Sequence, residues 1–399
     1  MTSSEQMRQW TGPALFSYGF RPFFLFGTLW AALAMVLWIA MLAGVFTLPT
    51  RLDPVSWHAH EFLFGYLGAV IAGFLLTAIP NWTGRLPVVG WYLAGLFGLW
   101  ALGRIALAVS ALLPLGVAAA VDLLFPTVLG AVILREIVAG KNWRNLVVLV
   151  LVGVFTVANL IFHLNAAAGD YAAQGPGLRL GIAAVLMMIG LIGGRIVPSF
   201  TRNWLVKAGQ TDLPTPPMRR FDVATLLATA LALGLWVALP ALALSGVALI
   251  AVGVLHTLRL ARWKGHLTTP EPLIWALHLA YLFVPLGALF EGFAILRPDL
   301  LAPGSAQHLW MAGAFGLMTL VVMARATLGH TGRDVQGGVA SVALFMCIIG
   351  SVGARLAAGI WPGLAMPLYT VSAVMWVGAF AGFALLYGAS LLQPKGARP

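Results

Sequence analysis

Charge is what this sequence has least of. Only 9% of its 399 residues are Asp, Glu, Lys or Arg, against about 25% in soluble domains. Apolar residues make up 61%. Together these exclude an ordinary soluble enzyme, and also a disordered chain, which needs low hydrophobicity and high charge. Cysteine is nearly missing too. Cys347 is alone, so disulfides within the chain, CxxC redox motifs, thiolate zinc sites and iron–sulfur clusters on its own cysteines are excluded. It lies in an apolar stretch and reads as a small core hydrophobe. There is no Walker-type phosphate loop, no GxGxxG on a strand–helix unit and no HExxH. No CxxCH is present, so any haem is expected to be non-covalent, of b type. No internal repeat stands out, and no loop is long enough for a soluble domain.

What remains is a series of long apolar runs. A membrane helix needs about 20 such residues, and twelve runs qualify: 23–46, 55–80, 88–110, 112–136, 146–167, 179–200, 222–243, 245–262, 271–293, 305–328, 337–358 and 365–391. Strict alternation is absent, which argues against strands. Residues 1–19 are polar and mixed, and the run at 23–46 is too long for a signal-peptide core. It reads as a retained first span. The expected fold is all-α: a polytopic bundle of about twelve transmembrane helices. The whole chain, 1–399, is read as one integral-membrane domain, with the polar segment 201–221 linking two six-helix halves.

Orientation follows from Lys and Arg. With the N-terminus inside, the cytoplasmic ends hold Arg85; Arg135, Lys141 and Arg144; Arg195, Arg202, Lys207, Arg219 and Arg220; Arg259, Arg262 and Lys264; Arg325 and Arg333. The opposite side holds mainly Arg51, Arg179, Arg297 and Arg355. Both termini are therefore predicted to be cytoplasmic. The net charge of +11 is explained by these basic loops, with no nucleic-acid partner.

Ionisable groups at membrane depth are costly and usually mark function. Of the eight histidines, His58 and His60 stand in WHAHE at the outer end of the second span. Two residues apart on a helix, they point about 200° apart. They would then serve two centres, or one if the segment is unwound. Glu61 could be an acceptor behind a ligating imidazole, a ligand itself or a proton carrier. His163 and His308 are placed at the same outer depth. Four neutral imidazoles, His58, His60, His163 and His308, suit haem iron or copper. His308 and His330 lie 22 residues apart, about 33 Å of helix, so they cannot share a site. His278 and His330 would make an inner site or contact headgroups or propionates. Arg195 and Arg202 are further candidates for propionates or phosphate, against plain snorkelling. His256 and His266 read as interfacial. Arg104 and Asp122 could pair structurally, or carry protons with Glu61 and Glu291.

The segments GFRPFF at 19–24, WHAHE at 57–61, AGFLLTAIPNWTG at 72–84, GGRIVPSFTRN at 193–203 and MARATLGHTGR at 323–333 resemble the signatures of the NnrS family. The resemblance implies a multi-pass protein of the bacterial inner (cytoplasmic) membrane that contains haem and copper, with nitric oxide as the relevant small molecule. On that reading the chain binds or converts nitric oxide at a histidine-lined site near the periplasmic face. Electrons would come from quinol or a periplasmic donor, and Glu61 or Glu291 would handle protons. Two other functions compete: a non-catalytic nitric oxide sensor or scavenger, and a twelve-helix transporter of metal, haem or a metabolite.

Overall fold

The computed structural model of the chain describes residues 10–301 and 303–394. The described residues form helices and no strand. Twelve helices among the described residues are long and apolar enough to cross a membrane: α1 Phe20–Leu42, α2 Pro54–Thr83, α3 Trp91–Ala108, α4 Val117–Ala139, α5 Trp143–Ala167, α6 Pro176–Lys207, α7 Arg220–Ala238, α8 Ala243–Ala261, α9 Pro272–Leu296, α10 Gly304–Thr331, α11 Val339–Ile360 and α12 Pro362–Leu392. Each matches one expected run, so the chain is a multi-pass membrane protein. The largest shift is at α6, which runs on through the first residues of the expected linker to Lys207. Val197, Thr201 and Leu205 are buried there, four residues apart on one stripe, which keeps the polar segment helical.

The ends of α2 follow from local chemistry. Asp53 caps the start, its carboxylate accepting from the Val55 and Ser56 amides at 3.0 Å. Pro54 occupies the first turn, where its missing N–H costs nothing. Gly84 ends the helix at φ 69°, its N–H returning to the Pro80 carbonyl. Only glycine adopts that left-handed conformation cheaply.

Among the described residues three helices contain a π-helical stretch: Glu61–Tyr66 in α2, Ile189–Gly193 in α6 and Leu309–Leu317 in α10. Such stretches are rare and concentrate at functional sites. They also upset the usual pairing of carbonyls, and side chains from neighbouring helices bond to them. Trp100 Nε1 donates to the Gly65 carbonyl at 2.9 Å. Arg259 donates to the Gly190 carbonyl at 2.8 Å.

The helix boundaries expose a repeat that the linear sequence hides. His60 and His308, Gly65 and Gly313, Gly68 and Gly316, and Thr83-Gly84-Arg85 and Thr331-Gly332-Arg333 are each 248 positions apart. Both π stretches begin directly after the histidine. The first residues of α3 and α11, Trp91 and Val339, are 248 apart as well. So are Val117, which opens α4, and Ala365, which opens the α-helical part of α12. The expectation of no repeat is corrected on this point. Few identities survive among apolar residues, and only the helix starts fix the register.

By packing, the described chain divides into two compact units. The first takes the chain up to Gly181, Met323–Asp334 and the chain from Phe380 on; the second is Ile182–Val322 with Val335–Ala379. The division at Gly181 falls inside α6, ahead of the polar segment at 201–221.

Candidate metal centre

In the first unit, α2 brings His60 and Glu61, α3 Arg104, α4 Asp122, and α5 Asn159 and His163 to one place. Their exposures run from 0% for His60 and Glu61 to 9% for His163. Burial of this many ionisable groups is tolerable only because they satisfy one another. Arg104 donates to both Glu61 oxygens at 2.8 Å and, through its other terminal nitrogen, to Asp122. Glu61 also accepts from Trp30 Nε1 of α1 at 2.8 Å. A glycine at 65 leaves the room: a Cβ there would collide with the Arg104 guanidinium and lie 2.9 Å from Glu61 Oε2.

The other half of the cluster is built on imidazoles. His60 Nε2 lies 2.9 Å from Asn159 Oδ1 and 3.2 Å from Asp122 Oδ2. His60 Nδ1 faces Glu61 Oε1 at 3.2 Å. The Asn159 amide nitrogen donates to Asp122 Oδ2 at 2.7 Å, which fixes its oxygen toward His60. Every group facing His60 is thus an acceptor, and both ring nitrogens donate. With cationic His60 and Arg104 against two carboxylates, the four charges sum to zero. His163 Nε2 completes the group, 3.1 Å from Asp122 Oδ2. The two imidazole centroids are 5.0 Å apart.

One nitrogen from His60, one from His163 and one oxygen from Asp122 all lie within 4.8 Å of one another. Two imidazoles and a carboxylate suit zinc, copper or iron. Glu61 on the far nitrogen of His60 is the carboxylate–histidine arrangement that orients ligating imidazoles. The donor set therefore fits a small metal ion. It does not fit a haem, because the space beside Asp122 is a cavity of about 10 Å³.

The other expected site residues have their own surroundings in each unit. His58 points away from His60, as the helical spacing requires. It stacks on Trp38 of α1 at 4.0 Å and touches Phe62. Of the four histidines expected at the outer depth, His60 and His163 are the two that meet within the first unit. His330, also in the first unit, packs on Tyr18 and Phe20 at 5.3 and 5.5 Å. In the second unit His308 Nδ1 bonds the Gly304 carbonyl at 2.6 Å. His278 Nε2 bonds Thr201 Oγ1 at 2.7 Å. Glu291 accepts from Trp236 Nε1 at 3.2 Å and Gln307 Nε2 at 2.9 Å. Arg195 is half-buried and Arg202 exposed.

His256 corrects an expectation. It is 1% exposed rather than interfacial, bonded to Thr229 at 2.9 Å and to Tyr281 at 2.8 Å. It sits beside a second buried ion pair, Arg259 with Asp222 at 2.8 Å. Asn159 is a member of the centre that the sequence does not single out. Its one signal is its place four residues before His163, which puts both on one face of α5.

The family model of the NnrS protein matches residues 14–395, nearly the whole chain. The chain belongs to the NnrS family. No curated protein matches it significantly. The family is generally linked to the nitric oxide response, and the segment WHAHE that marks the resemblance supplies His60 and Glu61 of the centre. The repeat adds an internal comparison for this NnrS-family chain. At the positions equivalent to Glu61, Arg104 and Asp122, the second copy has Leu309, Val352 and Thr370. Helices α10 to α12 follow the succession of α2 to α4 without these charges.

Proposed function

We propose that this NnrS-family protein binds a copper ion at His60, His163 and Asp122 and that nitric oxide is bound or converted there. The observation that carries the reading is the convergence of three ligand atoms in a buried centre whose charges the equivalent helices lack. Copper, when bound, supplies a one-electron centre with affinity for nitric oxide. A ligating nitrogen of His60 would have to give up its proton to hold the ion. Glu61, held by Arg104 and Trp30, keeps the His60 ring in position through Nδ1. Arg104 offsets the charge of both carboxylates, and Asn159 holds Asp122. The helices around the centre exclude water.

A haem b is proposed outside this centre. His58, His278, His308 and His330 are the imidazoles we assign to it as candidate ligands, and Arg195 and Arg202 the cations for its propionates. Glu291 is the acid for proton delivery in the second unit. Quinol or a periplasmic carrier would be the electron donor, and the bacterial inner membrane the location.

Elemental analysis of purified protein tests the copper assignment. His60→Gln and His163→Gln are expected to lose the ion while His58→Gln keeps it. Copper content unchanged in the His60 and His163 variants, with each variant still monodisperse, would overturn the assignment.

A further inference from the structure

The buried centre of the first unit carries more acid than permanent base. Glu61 accepts from Arg104 at both oxygens and from Trp30 Nε1, and faces His60 Nδ1. Asp122 accepts from Arg104 at one oxygen and from Asn159 at the other, where it also faces both imidazoles. Each group is used only as an acceptor, as an ionised carboxylate is. One guanidinium therefore answers two carboxylates. The other described acids of this unit lie elsewhere: Glu136 holds Arg85 and Arg135, Asp53 caps α2, and Asp170 and Asp334 are exposed. The second buried pair is different. There one carboxylate, Asp222, meets one guanidinium, Arg259.

Imidazoles that hold a metal ion do so in the neutral form. With His60 and His163 neutral, Arg104, Glu61 and Asp122 leave a surplus of one negative charge. Uncompensated charge is costly in a buried site. A cation of charge +1 brings the sum to zero, and one of charge +2 overshoots. The ligand types do not make this distinction, because imidazole serves copper and zinc alike and a carboxylate leans toward harder ions. The charge count does. Arg104 takes part in it without being a ligand, through the two carboxylates it holds.

We infer that Arg104 and Glu61 set the charge of this centre so that it selects a singly charged cation, holding copper as Cu(I) and discriminating against zinc. Copper as the natural ion rests on the proposed function above; the preference for charge +1 does not. Silver(I) is the probe that separates them. Metal-free full-chain protein in detergent should bind Ag(I) in preference to Zn(II), and His60→Gln and His163→Gln should lose the silver. Arg104→Gln makes the surplus two negative charges, and the ratio of Zn(II) to Ag(I) affinity should rise by about tenfold or more. Glu61→Gln removes the surplus, and the ratio should fall by a similar factor. Arg104→Lys keeps the charge and should keep the wild-type preference. With copper loaded, the Cu(II)/Cu(I) midpoint potential should move by about 59 mV for each tenfold change, downward in Arg104→Gln and upward in Glu61→Gln. A role in folding alone would not move the two variants in opposite directions. Zn(II) bound as tightly as Ag(I) by the wild type would overturn the inference, and so would shifts of the same sign in both variants. Neither ion bound at the two histidines would overturn the copper reading as well. Silver bound there in a protein that purifies without copper would uphold the charge preference and overturn the copper reading alone. If Arg104→Gln fails to fold, Glu61→Gln and Arg104→Lys carry the comparison.

Discussion

Asp122 Oδ2 stands between two imidazoles, 3.2 Å from His60 Nε2 and 3.1 Å from His163 Nε2. Its other oxygen is held by Arg104. One carboxylate thus links a histidine-rich side of the centre to an ion-paired side, and each side can be perturbed separately.

Arg104→Met should be severely destabilising. It leaves Glu61 and Asp122 buried with His60 as their remaining cation. Breaking a buried ion pair on one side costs about 3–5 kcal/mol. Thermal unfolding of the metal-free protein measures it. Adding Glu61→Leu to Arg104→Met should recover part of the loss, because the uncompensated charge is removed.

Gly65 and Gly68 lie three residues apart in α2 and should respond to alanine in opposite directions. At Gly65 the new methyl collides with the Arg104 guanidinium, and overpacking costs about 1–3 kcal/mol. At Gly68 the methyl finds room, and alanine should gain up to about 1 kcal/mol from helix propensity. Equal shifts in melting temperature for the two variants would refute this.

In the second unit the direction of each hydrogen bond can be worked out. Thr229 donates its hydroxyl to the Thr225 carbonyl at 2.7 Å, so it accepts from His256 Nε2. His256 Nδ1 is then the acceptor for the Tyr281 hydroxyl. Tyr281→Phe leaves that nitrogen buried without its donor and Arg259 short of an acceptor. The expected cost is about 1–3 kcal/mol, read from the same unfolding measurement.

The loop charges predict a cytoplasmic C-terminus. A fluorescent reporter that folds only in the cytoplasm, fused after Pro399, should be bright. A periplasm-dependent reporter fused there should be inactive. The reverse pattern would invert the assignment.

Much of this architecture is readable from the sequence, for physical reasons. Hydrocarbon thickness fixes span length, so all twelve spans show as apolar runs. The angular spacing of a helix is enough to separate His58 from His60, and Trp38 and Asn159 define the two sides. Which histidines meet across helices is not readable, because lateral packing leaves no mark on a single apolar chain. His163 joins His60, while His308 belongs to the second unit. Asn159 carries no charge and is therefore invisible to a search for ionisable groups. His256 reads as interfacial because it flanks the basic loop that holds Arg259, Arg262 and Lys264. The partner of Arg259, Asp222, sits in the first turn of α7 and allows the group to be buried. The repeat is obscured because lipid accepts almost any apolar residue in place of another.

The π-helical stretch at Glu61–Tyr66 makes aim a matter of phase. One residue added to an α-helix turns everything beyond it by about 100°. Deleting a single residue from this stretch would leave the composition and span of α2 almost untouched, yet swing His60 and His58 around the helix axis relative to Gly68 and Pro80. The centre thus depends on one residue of angular offset as well as on which side chains are present. A chain could keep every ligand and still lose the site through a one-residue deletion.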